Sequence, residues 1–234
     1  MSDKNYPLVI AHRGASNTGY PNSMEAFQFA VDQKADMIEL DIHLTKDGHI
    51  IVHHDANIKY QNQMYSIKDT TLKKIQSFKL PNDEPIPLLK DVLERFHKSI
   101  RFNIEFKCEI KKEQFDSLLK EVGINTKETV ISSFIYEVHM ELKESKLGYQ
   151  LAYLYTIPSF SNKRVARNEF IAAMNPFARF TSKKAVRFYH SLGKKVYPWT
   201  VDDEHTIKRL TACNVDGIIT NNPKETREII ESII

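Results

Sequence analysis

Short β-rich runs alternate with helical patterns along almost the whole chain of 234 residues, and few folds accept that order. The strand candidates are "PLVIA" (7–11), "MIELDI" (37–42), "RFNIEF" (101–106) and "TVISS" (129–133). They continue with "QLAYLY" (150–155), "FIAAM" (170–174), "KVYPWT" (195–200) and "DGIIT" (216–220). Between most of them, apolar residues recur at helical spacing, as in "LLKDVLERFHK" (88–98) with Leu88, Val92 and Phe96. "NSMEAFQFAVDQ" (22–33) adds a cap at Asn22 or Ser23 and Glu25 in its first turn. About eight strand–helix units predict an α/β fold of the (β/α)8 TIM-barrel type. An open doubly wound sheet usually shows a Gly-rich first turn, which "HRGAS" lacks. Residues 43–87 break the alternation with a β-like "HIIVHH" and a polar stretch ending in "PNDEPIP". They predict a small insertion after strand two, at the barrel's mouth. With no repeat or linker, residues 1–234 read as a single domain.

Forty-one per cent of the residues are hydrophobic, enough for a full core. The net charge of +3 is small and evenly spread, which argues against nucleic acid and leaves room for a small anionic substrate. Cys108 and Cys213 lack metal-ligand spacing and read as free thiols of a reducing compartment. "MSDKNYPLVI" does not resemble a signal peptide, and no run reaches the length of a membrane span. A cytoplasmic protein is expected.

In such barrels chemistry sits at the C-terminal ends of the strands. His12 and Arg13 end strand one, and Glu39 and Asp41 share one face of strand two. Asn103, Glu105 and Lys107 share a face of strand three. Later strands end in Ser132 and Ser133, Asn175, Trp199 and Asn221. Like charges on a half-buried strand are costly without something positive between them. Glu39, Asp41 and Glu105 therefore suit a hard divalent cation, the alternative being structural ion pairs with Arg13 or Lys107. Among nine histidines, His12, followed by Gly14 where backbone can approach a ligand, and His54 before Asp55 are the acid–base candidates. His43 reads as a loop residue, and His97, His139, His190 and His205 as helix surface or packing residues. Arg13 and Lys107 offer fixed positive charge for a phosphate.

The ordered set "AHRGAS", "NSMEAF", "IELDIHLTKDG", "IVHHD", "FNIEFK", "PWTV" and "VDGIITNNP" resembles the glycerophosphodiester phosphodiesterase family. The resemblance runs from Pro7 to Pro223 and is weakest in 56–85 and 156–170. It implies a TIM barrel with an insertion after strand two and metal-dependent hydrolysis, with Ca2+ or Mg2+, to an alcohol and glycerol 3-phosphate. Carried over by motif, the metal ligands fall on Glu39, Asp41 and Glu105, and the catalytic histidines on His12 and His54. Arg13 and Lys107 fall on phosphate-contacting positions and Trp199 on an aromatic lining the mouth; His53 receives no role. Two departures stand out: Pro21 occupies the place of a family glutamate, and "ANIKYQNQMYS" lacks the usual Asp-Arg-Thr-Thr. Two alternatives stay open. One is lysophospholipase D or phospholipase-type cleavage releasing a cyclic phosphate, which an extended apolar rim would favour. The other is a non-catalytic phosphodiester-binding protein.

Overall fold

The structure, a computed structural model, describes residues 6–233, so the first half of the N-terminal segment behind the signal-peptide reading lies outside the described residues. The chain begins β1 (Leu8–His12), α1 (Met24–Asp32), β2 (Met37–Leu44). An excursion follows: β3 (Ile50–Val52), β4 (Asn57–Tyr60), β5 (Gln63–Ser66) and α2 (Leu72–Ile75). Then come α3 (Leu89–Phe96), β6 (Arg101–Phe106), α4 (Lys112–Val122), β7 (Val130–Ser133) and α5 (Tyr136–Leu142). The chain continues β8 (Gln150–Tyr155), α6 (Phe160–Val165), β9 (Ile171–Pro176), α7 (Lys183–Ser191) and β10 (Lys195–Val196). It closes with α8 (Glu204–Ala212), β11 (Gly217–Thr220) and α9 (Pro223–Ser232).

Eight of these strands form a parallel barrel in the order β10-β9-β8-β7-β6-β2-β1-β11. The seventh strand candidate, 195–200, is regular strand only at Lys195–Val196, although Tyr197 N and Trp199 N still donate to Met174 O and Pro176 O of β9, and Pro198 has no N–H to offer on its other side. The ring closes instead through Asp216 N to Val196 O at 3.0 Å and Val201 N to Ile219 O at 2.9 Å. Period-two alternation sorts the side chains. Ile10, Met37, Val130, Ala152, Ala173, Tyr197 and Ile219 fill the barrel, while Leu40, Phe102 and Ile104 pack outward under the helices.

The excursion is more ordered than its polar sequence suggests. β3 pairs antiparallel with the end of β2, and β4 and β5 form a hairpin. Its turn residues Gln61 and Asn62 both have positive φ, at 47° and 63°. That is type I′ backbone, normally signalled by Asn-Gly, so Gln61-Asn62 carries no local hairpin signal. Ile51, Ile58, Ile67, Ile75, Phe78 and Ile86 make a separate small core, with the Tyr60 and Tyr65 rings 4.8 and 4.7 Å from Phe78. A carboxylate then pins the excursion to the barrel: Glu84 accepts from Met24 N at 2.8 Å and Glu25 N at 3.1 Å. These are orphan donors at the start of α1, where negative charge is favoured. Glu84→Ala is expected to cost about 1 kcal/mol, read as a lower urea midpoint; an unchanged midpoint would mean that water replaces the carboxylate fully.

Candidate active site

Strand register builds the acid cluster. β2 and β6 pair with Asp41 beside Glu105, and β1 brings His12 beside Glu39. One carboxylate oxygen from each of Glu39, Asp41 and Glu105 lies within 4.8 Å of the others, and the three residues are only 2, 1 and 8% exposed. Arg13 turns into the left-handed region at φ 55°. Its backbone N–H thereby donates to Glu39 Oε2 at 2.8 Å, and its Nε lies 3.2 Å from Asp41 Oδ2. Lys107 Nζ is 2.7 Å from Glu105 Oε1 and 3.5 Å from Asp41 Oδ1. The ion pairs anticipated as the bland alternative therefore exist, but they do not neutralise the cluster.

Three carboxyls face two cations. Burial, then Asp41 and Glu105, push the Glu39 carboxyl well above its ordinary range. Burial and Asp41 push Glu105 up to about 7 against the pull of Lys107. Burial opposes the Lys107 charge, yet Glu105 and Asp41 still hold its pKa above the usual lysine value. Glu39 Oε1 is buried without a protein partner. Hard oxygen donors, excess negative charge and one free buried oxygen are what a divalent cation fits.

His12 lies beside this cluster. Burial and then the Arg13 charge lower its pKa to about 4, so the ring is neutral near pH 7. Its Nδ1 is 2.7 Å from Asn221 Oδ1. The orientation of that amide follows from its other partners. An ionised Asp202 can only accept, so the Asn221 amide nitrogen faces it at 2.6 Å. The amide oxygen therefore receives both the Ser16 hydroxyl, at 2.7 Å, and His12 Nδ1–H. Nε2 is left with its lone pair. His12 lines a cavity of about 20 Å³, the volume of about one water, that Glu39, Asn103, Glu105, Ser132 and Trp199 also line. Asn103 and Ser132 there, and Asn175 on β9, carry buried polar atoms with no protein partner. A far larger concavity, about 1010 Å³, lies at the opposite end of the barrel around Arg101, Lys195 and Asp216, away from all these groups.

His54 is placed differently. It is half-exposed at the rim, outside that cavity, with Nδ1 2.7 Å from Asp55 Oδ1. Its backbone is tied to β2, since His43 Nε2 bonds the His54 carbonyl at 3.1 Å and His53 N donates to Asp41 O at 3.0 Å. His43 is thus a buried strand residue of β2 rather than a loop residue. Gly14 also has a different role from the one expected. At φ 84° a Cβ would meet the Ala26 backbone at 2.6 Å, so the glycine serves α1 packing. Trp199 lines the cavity, its Nε1 donating to Asn175 O at 2.9 Å. Its ring lies 5.4 Å from both Phe134 and Phe177.

Sequence reasoning missed Asn22 as a site residue. Ser23 caps α1, its Oγ accepting from Ala26 N. Asn22 is buried at φ 60°, and its Nδ2 donates to Asp41 Oδ2 at 2.8 Å. Asparagine tolerates that backbone region. Next to Pro21, it supplies the cluster with a donor instead of a further acid. Asp202 was also missed, since its role depends on Asn221, 19 positions away.

Residues 12–225 match the glycerophosphoryl diester phosphodiesterase family. A glycerophosphodiester phosphodiesterase of Caldanaerobacter subterraneus subsp. tengcongensis is 32% identical, covering 93% of this chain and 95% of its own. Lysophospholipase D GDPD1 of Rattus norvegicus is 25% identical over 96% of this chain and 86% of its own. Among solved structures, an Oleispira antarctica phosphodiesterase in complex with its product sn-glycerol-3-phosphate superposes with a TM-score of 0.86. It is 23% identical, and the match covers 97% of each chain.

Proposed function

The chain belongs to the glycerophosphoryl diester phosphodiesterase family, and from that premise we propose that its barrel mouth performs cation-assisted hydrolysis of glycerophosphodiesters with His12 and His54 as base and acid. The observation that carries this reading is an under-neutralised buried carboxylate cluster beside a neutral imidazole whose Nε2 is free. Glu39, Asp41 and Glu105 would hold one Ca2+ or Mg2+, which when bound supplies positive charge for the phosphoryl oxygens. Arg13 and Lys107 add fixed positive charge at the same place.

His12 Nε2 takes the proton from the attacking hydroxyl, and the negatively charged phosphodiester raises the basicity of this ring as it enters. A new P–O bond forms on one side of phosphorus while the ester P–O bond breaks on the other. His54 gives its proton to the departing alkoxide, and the Asp55 carboxylate at its Nδ1 offsets the imidazolium charge. Asn221 and Asp202 hold the His12 tautomer. Asn103 and Ser132 offer hydrogen-bonding atoms to a substrate oxygen. In this reading the chain works as one domain, with the excursion walling the mouth beside His54. Its two unpaired cysteines suit a reducing cytoplasm.

An assay of glycerol 3-phosphate release over a panel of headgroups, with and without chelator, tests the proposal. Chelator-sensitive release is expected, and binding without release would favour the non-catalytic alternative. A second reading has its own observation: from Lys107, over the Phe134 ring at 6.0 Å, aromatic rings continue through Trp199 and Phe177 to Phe180. Such a wall suits the apolar chain of a lysophospholipid, the substrate class in the name of the rat relative. Lysophospholipids therefore belong in the panel, and a higher kcat/KM for them would decide for this reading.

A further inference from the structure

Exposed apolar side chains are unevenly placed. Among the described residues, the large ones more than half exposed are Met64 at 64%, Ile157 at 70% and Phe160 at 90%. All three lie on segments that leave the C-terminal ends of barrel strands. Met64 is on the excursion hairpin after β2, and Ile157 and Phe160 follow β8. Phe134 and Phe180, in the loops after β7 and β9, are exposed to a lesser degree, as are Tyr6, Met140 and Ile233 elsewhere on the molecule. The end of the molecule that carries the acid cluster thus holds its most exposed apolar side chains among the described residues.

The segment after β8 is built to present its two apolar residues. Asn162, 6% exposed, donates from Nδ2 to the Ile157 carbonyl at 2.9 Å. Ser159 Oγ accepts from Asn162 N at 3.2 Å, and Val165 is buried beneath. The tip is pinned while its largest side chains face outward. Around them stand exposed Lys163, Arg164 and Arg167, against a single acid, Glu169, in 156–170. Lys163 Nζ is 5.7 Å from the Phe160 ring.

We propose that this end of the barrel docks on an anionic lipid surface, with Ile157 and Phe160 entering the interface and Lys163, Arg164 and Arg167 facing the headgroups. Apolar insertion beside basic residues is the chemistry of peripheral membrane attachment. A side chain 90% exposed stands out from the protein, so it enters another phase rather than lining a groove for a peptide. Met64 leaves the ring three strands away, at β2, and such separated contacts suit a broad, deformable surface. Docking would turn the mouth toward membrane-borne glycerophosphodiesters, which rests on the function proposed above.

Co-sedimentation with vesicles of phosphatidylglycerol mixed with phosphatidylcholine, and of phosphatidylcholine alone, tests the idea. The protein is expected to bind the anionic vesicles, more weakly as salt rises. The double variant Ile157→Ser, Phe160→Ser should bind on the order of 100-fold more weakly. Its turnover of soluble glycerophosphocholine should stay unchanged, since neither residue belongs to the proposed catalytic machinery. Lys163→Glu with Arg164→Glu should also weaken binding. No vesicle binding by the parent, or equal binding by the Ser variant, would overturn the proposal. So would self-association that the Ser variant abolishes while vesicle binding is unaffected. If neither protein turned over any glycerophosphodiester, the proposed function would fall while the vesicle result stood by itself.

Discussion

Replacing His12 by Asn is expected to lower kcat by about a hundredfold to ten-thousandfold, the usual contribution of a positioned acid or base. The fold should survive, because the bond that orients this ring runs to a half-buried loop residue, Asn221, rather than into the apolar core. His54→Asn should lose a comparable amount through the leaving group. Poor leaving alcohols should suffer more from His54→Asn than good ones, a dependence that His12→Asn lacks. His97 and His190 serve as controls. His97 ends α3, and His190 pairs with Asp216 at 2.8 Å on the far side of the barrel. Their Asn variants should turn over like the parent. Comparable losses at all four positions would show destabilisation instead of chemistry.

The pH dependence of the parent adds a constraint. With its pKa lowered to about 4, His12 is not the group that limits kcat/KM between about pH 5 and 7. Protonation of that ring also bears on stability. Below its unfolded value of 6.5 the unfolded chain takes up a proton that the folded ring refuses until about 4. The contribution of His12 to stability therefore falls as pH drops through that window.

The ring strands were legible because each one announces itself locally. "RFNIEF" and "QLAYLY" coincide with β6 and β8 to the residue. The acid cluster was legible for the same reason, as period-two alternation fixes Glu39 and Asp41 on one face without any tertiary information. What escaped depends on backbone regions and distant partners. Asn22 reads as a capping residue until its positive φ aims the amide at Asp41. The Asn221 contact joins positions 209 apart, and nothing local marks it. The excursion's place after strand two was legible, but its own small core was not, because its apolar residues are diluted by lysines and glutamines, although Ile58, Tyr60 and Tyr65 still meet Phe78. The apolar run alone ends β2 at Ile42 and leaves His43 in a loop, whereas antiparallel pairing with β3 carries the strand to Leu44.

Chelation is expected to remove turnover and Glu39→Gln to imitate it, and the protons released on metal binding should report which acids are involved. Glu39 and Glu105 have folded-state pKa values above the ordinary 4.5, the reverse of a well-paired carboxylate. Between about 4.5 and 7 the folded protein holds protons that the unfolded chain has already shed. The metal-free fold thus loses stability from these groups as pH rises through that window. A cation takes the place of the protons, so added Ca2+ or Mg2+ should raise Tm more at about pH 8 than at about pH 5. The same competition sets the acid limb of activity, since carboxylates must be ionised to hold the metal. Where one proton leaves per cation, each tenfold increase in metal should move the limb down by about one pH unit. Calorimetry in two buffers of different ionisation enthalpy counts the protons directly, and Glu105→Gln should lower the count. Full turnover after exhaustive chelation, or an acid limb that ignores metal concentration, would remove the cation from the cluster and leave Arg13 and Lys107 as its only counter-charges.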